Sequence, residues 1–535
     1  MANDKIKTTK SGAAAKKSPW ETVLTVVIAI ILVAGLLIAA LKPTGVADWV
    51  SMHTTTALKS ENFEFNNAHL TYMVYYNYNQ QYSTYASYGY ASSAGFDTSK
   101  PLSQQMYFGS TTQSWLDVFL ESSVSSLKEC LVLCEEAKAN GVELTKEEKD
   151  DIKEQMKEMK KYAKEQGVSL GQMYGSKGLK ASDIQYVIEL QALASKYAQQ
   201  LTEGFEYSSS DYDTHYNENE KKYQYVDYNR YTVNADFDEK ATDAEKKAAN
   251  EKAKAAAEEI KAAIDGGKTF EQAVFEYQEK IKEEEKAEET TSSTTAAATG
   301  DDSKKEEETT EEEKIEEIKE SIFVENGSYT EDDEFSEWIY GKDAKKDETK
   351  VIAGTDAYTV YQIVKTPARH EYNTVNFHMI TINKANFTAT ETQTSEQVMK
   401  AVAAEVQAKI DAFAASSDKT AENFLKIAEA FDKEQVIASQ DVLENVGKDI
   451  VDSQLGVKGF DDWAFGEDVK TGDVKVFEDE EKGIYVAIYY AGTGLAAWNA
   501  EVDSDLRSAD YEKALEGFTA KHTITTNEKA LSKIQ

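Results

Sequence analysis

FDDWAFGEDVKTGDV (Phe460–Val474) decides the fold, because the chain carries the same frame a second time as FSEWIYGKDAKKDET (Phe335–Thr349). Each copy places a phenylalanine, a tryptophan, a further aromatic residue, a glycine and an aspartate at the same spacing. The chain has only six tryptophans in 535 residues, so this recurrence indicates an internal duplication. We predict that each tryptophan packs the end of a short helix against a sheet.

The duplication extends on both sides of the tryptophan frame. Each copy contains, in order, a strand that alternates like a half-buried one, two helices, the frame itself and a closing strand. The paired segments are Val226–Asn234 with Val375–Asn383, Glu258–Tyr277 with Ala404–Phe431, and Tyr358–Val364 with Ile484–Tyr490. This order predicts two α/β modules with antiparallel sheets, at residues 222–368 and 369–500.

The N-terminal sequence predicts a membrane anchor. Val23–Leu41 contains no charged residue and is long enough for a hydrocarbon core of about 30 Å at about 1.5 Å per residue. Residues 1–19 form a lysine-rich tail, which predicts a cytoplasmic N-terminus and a single transmembrane helix over 20–42. The bulk of the chain is then extracytoplasmic and membrane-anchored; cleavage of the apolar segment as a signal peptide is the alternative.

Composition divides the rest of the chain. Residues 61–221 show helical periodicity and predict a helical domain. Residues 503–520, part of the C-terminal helix and tail (501–535), are expected to complete this domain. Residues 280–320 hold almost no large apolar side chain and predict a disordered acidic insertion in the first module, with flanks that extend the neighbouring helices.

Charge and cysteine usage exclude several function classes. The chain holds 59 Lys+Arg against 96 Asp+Glu, a net charge of −37, which repels phosphate backbones and argues against nucleic-acid binding. Its two cysteines, Cys130 and Cys134, are too few for a metal site and are interpreted as helix core. No phosphate-binding loop or metal-ligand motif occurs, so we predict no metal and no cofactor.

The segment from Ala464 to Tyr490 resembles the end of the parvulin family of prolyl isomerases, with a helix end, the sequence K-x-G-D-V and a final strand. The preceding helical region resembles the N-terminal chaperone domain of SurA/PrsA-type foldases. The resemblance implies an α+β fold: an N-terminal transmembrane helix, a helical chaperone domain and two parvulin-like modules. It implies a membrane-anchored extracytoplasmic folding factor that binds unfolded or secreted polypeptides.

The resemblance also assigns candidate catalytic positions. The first histidine of the family falls on His378 in the second copy and on Asn229 in the first. The second histidine falls on Tyr485 and on Thr359, so His378 is the one candidate catalytic residue. An active prolyl isomerase acting through the second module is therefore an alternative function, and a structural or partner-binding surface protein is another.

Aromatic residues supply the candidate substrate-binding positions. Trp463, Phe465 and Tyr485 belong to the second module, and Phe465 is expected near a proline pocket. A tyrosine-rich run in the helical region is interpreted as helix core up to about Tyr82 and as an exposed aromatic loop beyond it. Tyr85 and Tyr88 are there expected to bind clients, because tyrosine offers a large contact area with few rotatable bonds.

Overall fold

The computed structural model describes residues 46–238, 240–292, 310–433, 435–443, 455 and 457–534. The described residues fall into two compact units. The helical unit comprises 46–206 with 505–534, and the two-sheet unit comprises 207–504. The domain boundaries expected from the sequence stay predictions.

The helical unit packs around one hydrophobic core. Its elements are α1 (Val46–Thr54), β1 (Thr56–Lys59), β2 (Glu64–Asn66), α2 (Asn67–Ser87), α3 (Trp115–Ala139), α4 (Lys146–Glu165), α5 (Leu170–Met173), α6 (Ala181–Glu203), β11 (Thr525–Thr526) and α16 (Glu528–Leu531). The three strands form a small antiparallel sheet in the order β11-β1-β2. Short 3₁₀ turns occupy Leu102–Gln104 and Tyr107–Gly109.

Local sequence explains where these helices begin. The side chains of Ser114 and Thr145 accept hydrogen bonds from the backbone of the first turns of α3 and α4, and acidic residues three positions later bond back to the caps. Such capping boxes satisfy backbone N–H groups that a helix start otherwise leaves without partners. Cys130 and Cys134 are both buried and free in α3, which confirms their interpretation as core residues.

The two-sheet unit repeats one topology. Its elements are α7 (Ser209–Glu218), β3 (Tyr225–Asn234), α8 (Asp243–Asp265), α9 (Phe270–Ser292), α10 (Glu311–Ile322), β4 (Phe323–Ser328), α11 (Glu334–Ile339), β5 (Thr349–Ala353), β6 (Ala357–Ala368), β7 (Asn373–Asn383), α12 (Ser395–Ala414), α13 (Ala421–Leu425), β8 (Val436–Leu443), α14 (Phe460–Ala464), β9 (Val474–Asp479) and β10 (Ile484–Ala496). Helix α15 (Ala497–Lys521) follows and contributes residues to both units. The four-stranded antiparallel sheets have the equivalent orders β4-β3-β6-β5 and β8-β7-β10-β9.

Each sheet is covered on both faces. In the second sheet, one face packs against α12 and α13 through Ile380, Ile382 and Ala487. The opposite face packs against α14 through Phe377 and Ile488. Successive strand residues point to opposite faces, so residues two apart in β7 or β10 share a face. This alternation decides which candidate residues can meet.

The fold class expected from the sequence is wrong in one component. It included a transmembrane helix over 20–42, and that segment lies outside the described residues. None of the helices within 46–534 that the structure describes is long and apolar enough to cross a membrane. The 25-residue helix α3 illustrates the reason: it carries Asp117, Glu121 and Lys128, whereas a span needs about 20 predominantly apolar residues. The described fold is mixed α+β with antiparallel sheets.

The structure adds two strands to each copy and shifts one alignment by a residue. Strands β4 and β5, like β8 and β9, were absent from the expected order. In the sheets Tyr485 lies opposite Ile382, and Tyr358 lies opposite Val233, the counterpart of Ile382. The equivalent of Tyr485 in the first copy is therefore Tyr358 rather than Thr359, which bonds Thr232 on the other face.

The acidic segment 280–320 is helical at both flanks. Helix α9 continues to Ser292, and α10 begins after the N-cap Thr310, whose side chain accepts a hydrogen bond from the Glu313 amide. Residues 293–309 lie outside the described part of the chain. The expected helical extensions of the flanks are thus present, and the expectation of disorder between them stays a prediction.

Candidate functional site

The candidate catalytic residue His378 lies in the middle of β7, on the sheet face covered by α12 and α13. It is half-buried, sits opposite Tyr489 of β10, and its ring centroid is 5.8 Å from that of Tyr489. Tyr489 itself donates its hydroxyl to the carbonyl of Lys419 at 2.9 Å and packs against Phe424. His378 thus lies beside packed aromatic residues of the hydrophobic core.

Tyr485 lies on the same face as His378 but is a core residue. It is buried, and its hydroxyl donates to Oε1 of Gln407 on α12 at 2.5 Å. Burial, together with the nearby carboxylates of Glu478 and Asp411, raises the pKa of Tyr485 to about 12. The hydroxyl therefore joins a helix to the sheet as a neutral donor.

Trp463 and Phe465 lie on the opposite face of the sheet. Trp463 packs against Phe477 and Tyr490, with ring centroids 5.8 and 6.2 Å apart, and so anchors the end of α14 to β9 and β10. Phe465 packs against Tyr372 at 5.9 Å. The structure therefore does not bring the proline-pocket candidate Phe465 together with His378, because the sheet separates them.

In the first module, too, the counterpart of His378 and the tryptophan frame lie on opposite faces of the sheet, and that counterpart is an asparagine. Asn229, the counterpart of His378, donates a hydrogen bond to Gln362 on β6 at 3.1 Å. On the other face Phe335 packs against Tyr361 in a tilted arrangement with ring centroids 4.3 Å apart, and Trp338 donates its indole N–H to Glu348. Among the described residues no group of three His, Cys, Asp or Glu side chains is placed to hold a metal ion.

Tyr85 and Tyr88, the other predicted binding residues, lie where α2 ends in the helical unit. Tyr85 is half-buried, and Tyr88, the C-cap residue, is 72% exposed. Tyr90 follows at 62% exposure, and its amide donates to the carbonyl of Tyr85 at 2.8 Å. The backbone links Tyr90 to the loop before α3, because Ala94 donates its amide to the Tyr90 carbonyl at 3.0 Å and accepts the Phe108 amide at its own carbonyl at 3.1 Å.

Phe108, in the loop before α3, is exposed and has a strained backbone conformation. It is 52% exposed and has φ 44° and ψ 39°, the left-handed region that costs a non-glycine residue about 1–2 kcal/mol. Its ring lies 4.9 Å from that of Tyr107 and 5.9 Å from that of Tyr85. Strain of this kind persists only where the surrounding structure imposes it, and such sites cluster in functional regions. We name Tyr85, Tyr88, Tyr90, Tyr107 and Phe108 the aromatic tip.

A rigid aromatic base holds the tip in place. Phe96 stacks on Trp115 with centroids 4.3 Å apart, and the carbonyl of Ala94 accepts hydrogen bonds from both the Trp115 indole at 2.9 Å and the Phe108 amide at 3.1 Å. Gly95 has φ +89°, and a Cβ there would overlap the carbonyl oxygen of Met106. The loop therefore approaches itself as closely as only glycine permits.

Beside the tip lies an open depression of about 520 Å³. Its lining combines aromatic, hydroxyl and small residues: Tyr82, Ala91, Ser92, Gly95, Phe96, Asp97, Thr98 and Lys100. Nζ of Lys100 pairs with Asp97 at 2.8 Å, and the hydrogen bonds from Lys100 and Ser99 lower the pKa of Asp97 to about 2. The two charges thus offset one another at the rim.

Sequence reasoning named Tyr85 and Tyr88 as candidate binding residues and did not name Tyr90 or Phe108. A usable signal was present for Phe108, because the stretch YFGS places an aromatic residue before Gly109 in a turn-forming context. The exposure and the left-handed backbone of Phe108 were not readable from that pattern, since both depend on the contacts of the loop with Ala94 and Trp115.

Comparisons with known proteins return little. No protein-family model matches the chain, and no curated protein matches it. Among solved structures, the chain has a weak similarity to the foldase protein PrsA from Streptococcus pneumoniae, at 14% sequence identity and a TM-score of 0.17. That match covers 47% of this chain and 71% of the other. A TM-score this low does not establish a shared fold, so no property of that protein transfers through it.

Proposed function

We propose that the protein is a folding factor that binds unfolded polypeptides through the aromatic tip. The observation that carries the proposal is the exposure of Tyr88, Tyr90 and Phe108 on one short stretch of the helical unit, with Phe108 held there at a cost in backbone strain. Folding normally buries such side chains, and clustered exposed apolar residues mark interaction sites.

The chemistry of the tip suits weak binding of many different chains. Tyrosine and phenylalanine present large flat areas and lose little conformational entropy on binding, and the tyrosine hydroxyls accept or donate hydrogen bonds to a peptide backbone. The stacked pair Phe96 and Trp115 contacts the rings of Tyr85 and Phe108 and so positions these two rings before a client arrives. Binding then covers apolar segments of the client that would otherwise associate with each other.

The test is suppression of aggregation of a chemically unfolded client by the full-length protein. The tip variant Tyr88→Ser/Tyr90→Ser/Phe108→Ser should lose most of the suppression, because it removes the exposed rings while leaving the base intact. The matched control Phe323→Ser/Leu495→Ser removes apolar side chains that are 40% and 39% exposed in the two-sheet unit, and it should suppress aggregation as the unaltered protein does. Circular dichroism must show both variants folded.

Two outcomes of this assay contradict the proposal. Full suppression of aggregation by the folded tip variant would show that clients bind elsewhere. Absence of suppression by the unaltered protein would contradict the chaperone function itself. An extracytoplasmic location accompanies the proposal as an expectation from the N-terminal sequence, and protease accessibility in intact cells tests it independently.

A further inference from the structure

The stretch of sequence that carries the aromatic tip is almost free of charge. Between Leu70 and Leu116 the only charged residues are Asp97 and Lys100, which pair with each other. This neutrality is unusual in a chain with 29% charged residues. No lysine or arginine of the described residues lies over the ring of Tyr88, Tyr90 or Phe108, so no cation among these residues already occupies a cation–π contact there.

The charges that border this neutral stretch are negative. Asp117 and Glu121, both exposed, occupy the first two turns of α3 directly after Trp115 of the aromatic base, and the first cation of that helix is Lys128. By helix geometry Asp117 and Glu121 lie about 3 and 9 Å along the axis from Trp115. The net charge of −37 adds a long-range field of the same sign.

We propose that the aromatic tip selects unfolded segments whose apolar residues are flanked by lysine or arginine, and that it disfavours acidic segments. This inference rests on the proposed function and adds the substrate class. The tip supplies apolar and cation–π contacts, for which an arginine or lysine over an open aromatic face is favourable. The bordering carboxylates and the overall field raise the association rate of basic segments and oppose acidic ones.

The experiment measures binding of three fluorescent peptides to the full-length protein by anisotropy. The peptides share one apolar centre and differ only in flanking lysines, serines or glutamates. At about 50 mM salt, where the Debye length is roughly 14 Å, the basic peptide should bind about three- to tenfold more tightly than the acidic one. At about 500 mM salt, with a Debye length of roughly 4 Å, this ratio should approach one.

Two charge variants locate the effect. Glu121→Lys reverses a charge beside the tip and should lower the basic-to-acidic ratio about twofold or more at low salt. Glu143→Lys makes the same change four residues after Ala139, where α3 ends about 36 Å along the helix axis from Trp115, and should lower the ratio less. The two variants carry the same charge change at different positions, so a difference between their ratios reports the position of the charge.

The possible results separate the two proposals. Equal affinities of the three peptides at low salt, or a preference for the acidic one, would overturn the charge selection and leave the proposed function standing. Equal effects of Glu121→Lys and Glu143→Lys would overturn the assignment to the tip. Absence of binding by every peptide, or binding of a soluble oligosaccharide in their place, would instead overturn the proposed function.

Discussion

Phe108→Gly removes the exposed ring of the aromatic tip and at the same time relieves the left-handed backbone at this position. We expect this variant to lose only about 1 kcal/mol of stability while losing most client binding. Phe108→Ala should be less stable than Phe108→Gly, by about 1 kcal/mol, because alanine keeps the steric cost of φ 44° that glycine avoids. At ordinary loop positions with negative φ this order is absent or reversed.

The magnitude follows from the surroundings of Phe108. Complete burial of a phenylalanine is worth about 1.5–3 kcal/mol, and this side chain is 52% exposed, so removing it costs about 1 kcal/mol of burial. Its ring contacts with Tyr85, Tyr107 and Trp115 add about 1 kcal/mol. In Phe108→Gly the relief of backbone strain stabilises the protein by about 1–2 kcal/mol, and the greater freedom of glycine in the unfolded chain destabilises it by about 0.5–1 kcal/mol.

The assay is native-state hydrogen exchange of the amides in α2 and α3, which reports the helical unit separately from the two-sheet unit. Phe96→Ala serves as the reference for a core position in the same cluster, since Phe96 is 6% exposed, and it should cost about 3–5 kcal/mol. A loss above about 3 kcal/mol in Phe108→Gly would show that Phe108 is a core residue. Equal or greater stability of Phe108→Ala would refute the left-handed backbone.

Three further expectations concern single positions. Tyr485→Phe removes the hydroxyl that donates to Gln407 and should cost about 1–2 kcal/mol in urea unfolding, with client binding unchanged. Burial lowers the pKa of His69 from 6.5 to about 4, so the unfolded chain binds more protons than the folded one between these pH values. The stability of the protein should therefore be intact above about pH 6.5 and fall by up to about 3 kcal/mol as the pH drops to 4. The variant His69→Gln should flatten this profile, measured by urea titrations at each pH. If the profile of His69→Gln matched that of the unaltered protein, another group would be responsible. Gly95→Ala should lower stability by about 2 kcal/mol or more and abolish aggregation suppression, because its Cβ would overlap the Met106 carbonyl; an unchanged melting temperature would contradict the close approach.

Much of the two-sheet unit was predictable because the chain contains the pattern twice. The alternation of Val226–Asn234 and of Val375–Asn383 predicted the central strands β3 and β7, and the tryptophan frames predicted α11 and α14. The four edge strands β4, β5, β8 and β9 were missed, since edge strands have little hydrophobic alternation to recognise. The one-residue error at Thr359 arose because two similar aromatic strands align almost equally well, and only the register with β3 distinguishes them.

The candidate site shows where sequence reasoning ends. The sequence grouped four residues of the second module as one site: His378, Tyr485, Trp463 and Phe465. Whether a strand residue faces one layer of helices or the other depends on the parity of its position in a paired sheet. That parity turns His378 toward α12 and α13, whereas Phe465 directly follows α14 on the opposite face of the sheet.

The sequence by itself determined the duplication, the helical character of residues 61–207, the core role of the cysteines and the acidic balance, because these follow from local periodicity and composition. Only the tertiary structure decided which aromatic residues remain exposed. Tyr82 and Tyr88 belong to one tyrosine-rich run, yet Tyr82 packs against Phe96 at 5.7 Å while Tyr88 is 72% exposed. The physical reason is that the burial of a side chain depends on which distant segment of the chain packs against it. Here that segment is the loop whose conformation depends on Gly95 and Ala94.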